Sequence, residues 1–248
     1  MKLAVCINHV ADTASKISIA SDGKNIDKTG VTFILNPYDE YALEECLRLK
    51  EKNTGEVVAI SLGGDAHKET LRKALAMGVD KAVLIKDDSP RDSFAVAKAL
   101  ADELKDISAD VIFFGKQSID SDGAAVGTMV AEMLGLPSIS AVIKLEIVNG
   151  TVIAEREIEG GKENVQTTLP AVFTAQKGLN EPRYPSLKGI MAAKSKPIEE
   201  KIPKPSEVKV EVLSMRKPPS KNAGKIVGTD VSAVPELVRL LHEEAKVI

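Results

Sequence analysis

The sequence predicts an α/β protein built on a doubly wound, mostly parallel sheet, with antiparallel additions and a C-terminal docking arm. Three observations carry this prediction. Short apolar runs, each closed by Gly or a polar turn, alternate with helical periods through the first half of the chain. Unbroken runs of that kind suit strands buried on both faces. The connections between them are short, as in right-handed strand–helix–strand crossovers. Aromatic residues make up only 3% of the chain and Trp is absent, so the core has to come from Val, Ile, Leu and Ala.

Taken in order, Lys2–Ile7 is an expected buried strand, and Asn8, His9 and Val10 leave its carboxyl end. Ile17–Gly30 alternates and turns through Asp22-Gly23, the pattern of a loose hairpin. Asn36 then suits a helix cap and Pro37 the first helical position, opening a helix that runs through Tyr41, Leu43, Cys46 and Leu47. Glu56–Leu62 is a second strand, closed by Gly63-Gly64. Ala66–Met77 is a helix ended by Gly78. Lys81–Lys86 is a third strand and Asp92–Lys105 another helix.

Val111–Phe114 follows, and the stretch from Asp110 to Gly127 organises the rest. Gly115 ends the strand, Lys116 to Asp122 form a polar crossing, and Gly123, Ala124, Ala125 and Gly127 stand at the expected start of a helix reaching Leu134. Strand, turn and small-residue helix opening is a plan by which α/β proteins hold phosphates, through free amides and the positive helix end. Taken alone, the stretch is slightly better explained by an ordinary connection with Asp120 or Asp122 as cap. It contains neither GxGxxG nor GxxxxGK[ST]. The residues after Ile7, at Gly63 and at Gly115 all fall at strand carboxyl ends, where open parallel sheets bind ligands.

The second half changes character. Ala141–Val148 and Thr151–Ile158 flank Asn149-Gly150, a strong hairpin signal. Val165–Leu169 and Pro170–Ala175 are further short strands that extend the sheet or cover its edge. Residues 180–200 contain three prolines and several lysines, and little periodicity persists to Ala223. A last helix, Pro235–Ala245, offers Leu237, Val238, Leu240 and Leu241. Its apolar face favours an arm docked on a partner over a loosely ordered tail.

The composition excludes several classes of function. Apolar residues are 44% and charged residues 28% of the chain, with a net charge of −3, which argues against nucleic-acid or membrane-surface binding. No apolar stretch is long enough for a membrane helix, and the N-terminus lacks the pattern of a signal peptide. Cys6 and Cys46 have neither disulfide nor metal spacing, which suits a reducing, cytoplasmic setting. His9, His67 and His242 are scattered. His9, at a strand exit, is expected as a satisfied lining residue rather than a catalytic base. Asp65, Asp120 and Asp122 make a poor metal set. A ligand crevice without a reaction centre suits a binding or carrier subunit.

Five stretches, Asn36–Glu51, Glu69–Ala82, Gly115–Gly127, Glu155–Gly161 and Leu179–Glu199 (LNEPRYPSLKGIMAAKSKPIE), together resemble the β subunit of electron transfer flavoproteins, in family order and spacing. The resemblance implies an adenine-nucleotide-binding α/β fold of the kind shared with universal stress proteins. It implies a heterodimer with a larger α subunit that holds most of the redox FAD, and a structural AMP in this chain. The family's AMP contacts fall on Cys6, Asn36, Pro37, Tyr38, Asp39 and Leu62. They continue on Gly115, Lys116, Gln117, Ser118, Ile119, Asp120, Ser121, Asp122, Gly123, Ala124, Ala125 and Val126. A family residue beside the flavin, often aromatic, falls on Thr13. A recognition loop for acyl-CoA dehydrogenase partners falls on 180–196, with Leu187 as apolar anchor beside Arg183, Tyr184, Ile190 and Met191. Arg183, Lys188 and Lys194 would form a steering rim.

By the same resemblance, residues 1–178 form the nucleotide-binding domain, 179–200 the recognition loop, and 201–248 an arm and helix docking on the α subunit. The implied function is electron transfer from acyl-CoA dehydrogenases, as in fatty-acid β-oxidation, to a membrane quinone oxidoreductase. The chain is thus a carrier subunit rather than an enzyme, with no stable membrane insertion. Electron-bifurcating relatives carry a second FAD in place of AMP and oxidise NADH. Ser121–Gly127 matches neither subgroup, whereas EREIEGGKE and LNEPRYPSLKGIM are similar to the simple carriers. A stand-alone nucleotide-binding stress protein is a third possibility, against which the long segment after Leu179 argues.

Overall fold

The computed structural model describes residues 1–220 and 223–248. The chain forms two compact units, Met1–Leu213 and Ser214–Ile248. In the first, β1 (Lys2–Cys6), a paired ribbon of β2 (His9–Ala11) and β5 (Phe33–Leu35), and a small hairpin of β3 (Ser18–Ile19) and β4 (Ile26–Asp27) precede α1 (Pro37–Asn53). There follow β6 (Glu56–Gly63), α2 (His67–Met77), β7 (Lys81–Lys86), α3 (Ser93–Ile107), β8 (Val111–Gly115) and α4 (Val126–Leu134). The second half adds β9 (Ser138–Val148), β10 (Thr151–Ile158), β11 (Gly161–Thr168), β12 (Ala171–Ala175), α5 (Leu187–Ser195) and β13 (Ile198–Lys201).

One sheet runs in the order β11-β10-β9-β12-β8-β1-β6-β7-β13. From β9 to β13 the neighbours are parallel, while β10 and β11 are antiparallel additions at one edge. The predicted doubly wound α/β class is therefore observed. Alternate residues of each central strand enter two cores. Leu3, Val5, Val57, Phe113 and Phe173 pack with Leu43 and Leu47 of α1 and Leu71 and Leu75 of α2. Ala4, Cys6, Val58, Ile60, Ile112 and Phe114 pack with Leu100 and Leu104 of α3 and Val130 of α4 on the other face. Burial on both faces is why these strands appear in the sequence as continuous apolar runs.

The winding sets the site. From β1 the chain steps to β6 and β7, then crosses back to place β8 on the other side of β1. Connections leave β1 and β8 in opposite directions, and a crevice opens between their carboxyl ends.

Several expectations change. The β2–β5 ribbon was not anticipated. The helix expected from Ala124 begins at Val126, because Asp122 and Ala124 have φ of 51° and 48°, outside the helical region. Neither Asp120 nor Asp122 caps it. Asn36 precedes α1 but makes no side-chain cap bond. The hairpin at Asn149-Gly150 is as expected, with φ of 50° and 80°. The strand expected from Val165 begins at Gly161, because the antiparallel pairing with β10 extends through Ile158 and Gly161.

The compact unit also extends past residue 178. There Ser186 caps α5 by accepting Gly189 N–H at 3.0 Å, and β13 pairs with β7. Three prolines mask this element in the sequence, yet they flank it rather than interrupt it. In the second unit a 3-10 turn (Val231–Ala233) comes first, and the helix expected over Pro235–Ala245 is divided into α6 (Val234–Arg239) and a π turn (Leu240–Glu244). Of its expected apolar face, Leu240 is buried and Leu237 and Val238 are exposed. No described helix is long and apolar enough to cross a membrane.

Candidate functional site

The crevice is assembled by the first turn of α1. Asp39 sits between the two strand ends. Its Oδ2 accepts Asn8 N–H at 2.8 Å and its Oδ1 accepts Gly115 N–H at 2.9 Å. Burial pushes the Asp39 carboxyl up to about 7, against the pull of these donors and of Asn36. Gly115 is required by this contact: a Cβ there would lie 2.4 Å from Asp39 Oδ1 and 2.7 Å from Tyr38.

Asn36, also buried, turns away from its own helix. Its Nδ2 donates to Gln117 O at 2.9 Å, and its Oδ1 accepts Ile119 N–H at 3.2 Å. Asn8 Nδ2 donates to Ser118 Oγ at 3.2 Å, and that hydroxyl donates to Asp120. Gln117 Nε2 donates to Asp122 Oδ1 at 2.6 Å. The polar crossing after β8 is thus held by side chains from α1 and from the exit of β1.

The space beyond holds about 780 Å³, open solvent at its mouth included. Cys6, Ile60, Leu62, Val96, Leu100 and Phe114 give it an apolar floor. Burial raises the Cys6 thiol well above its ordinary value, so it lines the floor as a neutral group. Ser121, Gly123, Ala124, Ala125 and Val126 line it where α4 opens. Ala125, at the cap position, makes no side-chain bond to the first amides of α4. Those amides have no acceptor within the helix, and they carry the positive end of its dipole. The floor can take a flat ring, and the uncapped amides can take a phosphate. The residues present fit a nucleotide.

Most residues expected to contact AMP line this crevice: Cys6, Asn36, Asp39, Leu62, Gly115, Lys116, Gln117, Ser118, Ser121, Gly123, Ala124, Ala125 and Val126. Five do not. Pro37 opens α1, and Tyr38 faces Lys116, whose Nζ is 5.9 Å from the ring centre. Ile119 contributes its N–H to Asn36, while Asp120 and Asp122 accept from Ser118 and Gln117. Asn8 lines it as the strand-exit reading expects, and sequence reasoning missed Ser93, Val96 and Leu100. Ser93 follows the Asp92 cap of α3, at the same rim of the sheet, and that position was the available signal.

Beside the crevice, His9 Nδ1 bonds Thr70 Oγ1 at 2.8 Å and its ring stacks on Phe33, with centroids 5.1 Å apart. His9 is thus satisfied as expected, but it stands outside the crevice lining. His67 Nδ1 bonds Ser61 Oγ at 2.9 Å, and the two imidazoles are 5.3 Å apart. Thr13 is exposed in the turn after β2. Among the described residues no group of three His, Cys, Asp or Glu could hold a metal.

A second surface lies on α5. Its inner side is small: Ala193 is buried, and a Cβ on Gly189 would lie 2.2 Å from Ala76 O of α2. Arg72 donates to Ala193 O at 2.6 Å and to Lys196 O, satisfying carbonyls at the end of the helix. The large apolar side chains therefore point outward. Tyr184 is 95% and Leu187 84% exposed, and Ile190 and Met191 are exposed beside them. Leu187 is therefore not a core residue.

Arg183 corrects the expected steering rim. Its Nε lies 2.8 Å from Glu44 Oε2 and its Nη1 2.5 Å from Glu51 Oε1. Burial works to raise the Glu44 carboxyl, and the bonds from Arg183 and Arg48 outweigh it, so its pKa is lowered. Arg183 anchors the segment on α1, and the cations left at the rim are Lys188 and Lys194.

A doubly wound sheet with a crevice at its switch point marks an α/β protein of the ligand-binding, open-sheet class. Residues 24–205 match the family model described as "Electron transfer flavoprotein domain". Over its whole length the chain is 45% identical to the electron transfer flavoprotein subunit beta of Bacillus subtilis, which is matched in full. It is 42% identical to that of Syntrophomonas wolfei over 90% of this chain and 88% of the other. It is 38% identical to the mitochondrial protein of Arabidopsis thaliana, with both covered in full. The chain belongs to the electron transfer flavoprotein family, as a beta subunit, and its role lies in electron transfer.

Proposed function

We propose that this chain is the β half of a cytoplasmic, heterodimeric electron carrier and that its crevice buries a structural AMP. FAD, held mainly by the α subunit, supplies the redox chemistry between an acyl-CoA dehydrogenase-type flavoprotein and a membrane quinone oxidoreductase. The work of this chain is binding, orientation and docking. The floor from Cys6 to Phe114 holds the adenine, and the first amides of α4 hold the phosphate. The outward apolar face of α5, with Leu187 at its start, docks the dehydrogenase. The arm beyond residue 200 docks the α subunit.

The observation that carries this reading is the crevice itself, which brings an apolar lining and an uncapped helix end together at the switch point. The test is to denature the purified heterodimer and count the released nucleotides. One FAD with one AMP per heterodimer is expected. Two FAD, with NADH oxidation, would establish the bifurcating alternative. FAD without any adenylate, or a colourless protein that purifies without a partner, would sink the proposal.

A further inference from the structure

Asp39 spans the switch point with one side chain: one oxygen holds the exit of β1 at Asn8, and the other holds the end of β8 at Gly115. It is buried at the base of a crevice suited to an anion. The titratable groups around it come from three elements. After β8 stand Asp120, Asp122 and Lys116. β1 presents the neutral Cys6 thiol. On α1 itself, Glu40 is paired with Lys73. Carboxylates thus outnumber cations here.

We infer that Asp39 is the positioning residue of the crevice, and that a phosphate-bearing ligand enters together with one proton taken up by Asp39. The inference rests on the adenylate reading above. Two negative charges in one partly desolvated crevice repel each other, and the acid form removes one of them. In the free chain the Asp39 carboxyl is already held at about 7 by burial. A strong push from an arriving phosphate then keeps the proton in place up to about pH 8.5. Asp39 acts through the two strand ends it joins, which carry Asn8 and the 115–118 segment to the lining.

The test uses the heterodimer, depleted of its small ligand and titrated with AMP between about pH 7 and 8.5. A phosphate monoester is already doubly charged there, with its second ionisation near about 6, so the ligand adds no slope of its own. The Kd of the wild type is expected to rise about tenfold over that span, and that of Asp39→Asn to stay flat within about twofold. The slope is the readout, because a general loss of packing would move only the level. A flat wild-type profile, or an equal slope in Asp39→Asn, overturns the inference. Failure of AMP to bind at any pH overturns the adenylate reading instead.

Calorimetry of the wild type in two buffers of different ionisation heat covers the case in which Asp39→Asn does not assemble. Uptake of about one proton per AMP near pH 8 is expected, and none overturns the inference.

Discussion

His67 shows how much a single half-buried side chain can carry. Its ring lies against Gly63, where a Cβ would come within 2.2 Å of Nε2, and it bonds Ser61 in the wall of the sheet. Burial, then the neighbouring His9, pushes its pKa down to about 4. The unfolded chain binds a proton on this residue near its ordinary 6.5, and the folded chain does not. Its contribution is therefore intact above about pH 6.5 and is lost as pH falls from there toward about 4. Urea unfolding at stepped pH is expected to show a loss on the order of 2–3 kcal/mol across that window. His67→Gln is expected to flatten the profile between about pH 6.5 and 4, and an unchanged slope would refute this account of the pair. Asn36 teaches the complementary lesson. In sequence it has the position of a cap, but its amide reaches Gln117 and Ile119. Only the fold brings residues so distant in the chain within hydrogen-bond range.

At the scale of the element, α5 inverts the usual helix pattern. A surface helix commonly buries its large apolar face. Here Gly189 and Ala193 face α2, and Leu187, Ile190 and Met191 face outward. Close approach of the two backbones needs small residues on the inner side. The Arg72 bonds to the closing carbonyls and the Arg183 clasp on α1 hold both ends of the segment. Such a helix is stable without its exposed Leu. Leu187→Ala is expected to leave the urea midpoint and FAD content unchanged, with an effect on stability within about 0.5 kcal/mol. Electron transfer from the dehydrogenase is expected to weaken about tenfold or more, as for loss of an anchor residue. Equal transfer rates in mutant and wild type would remove Leu187 from the docking surface.

For the molecule as a whole, among the described residues both buried cores are complete by Ala193, with only Ile198 packed on them afterwards. A chain ending at Leu213 is therefore expected to keep one cooperative urea transition, within about 1 kcal/mol of the full-length protein. Circular dichroism would show it, and a broad, non-cooperative loss of signal would contradict it. The sequence by itself determined the sheet and its helices, because strands buried on both faces leave continuous apolar runs and the helices leave a periodic stripe. It also determined which strand ends would meet, since alternating connections wind in one hand. Only the tertiary structure decided the polar crossing after β8, the true start of α4, the clasp at Asp39 and the docked α5. Those features depend on left-handed residues, hydrogen bonds between distant segments and close backbone contacts, which have no period and so leave no pattern along the chain.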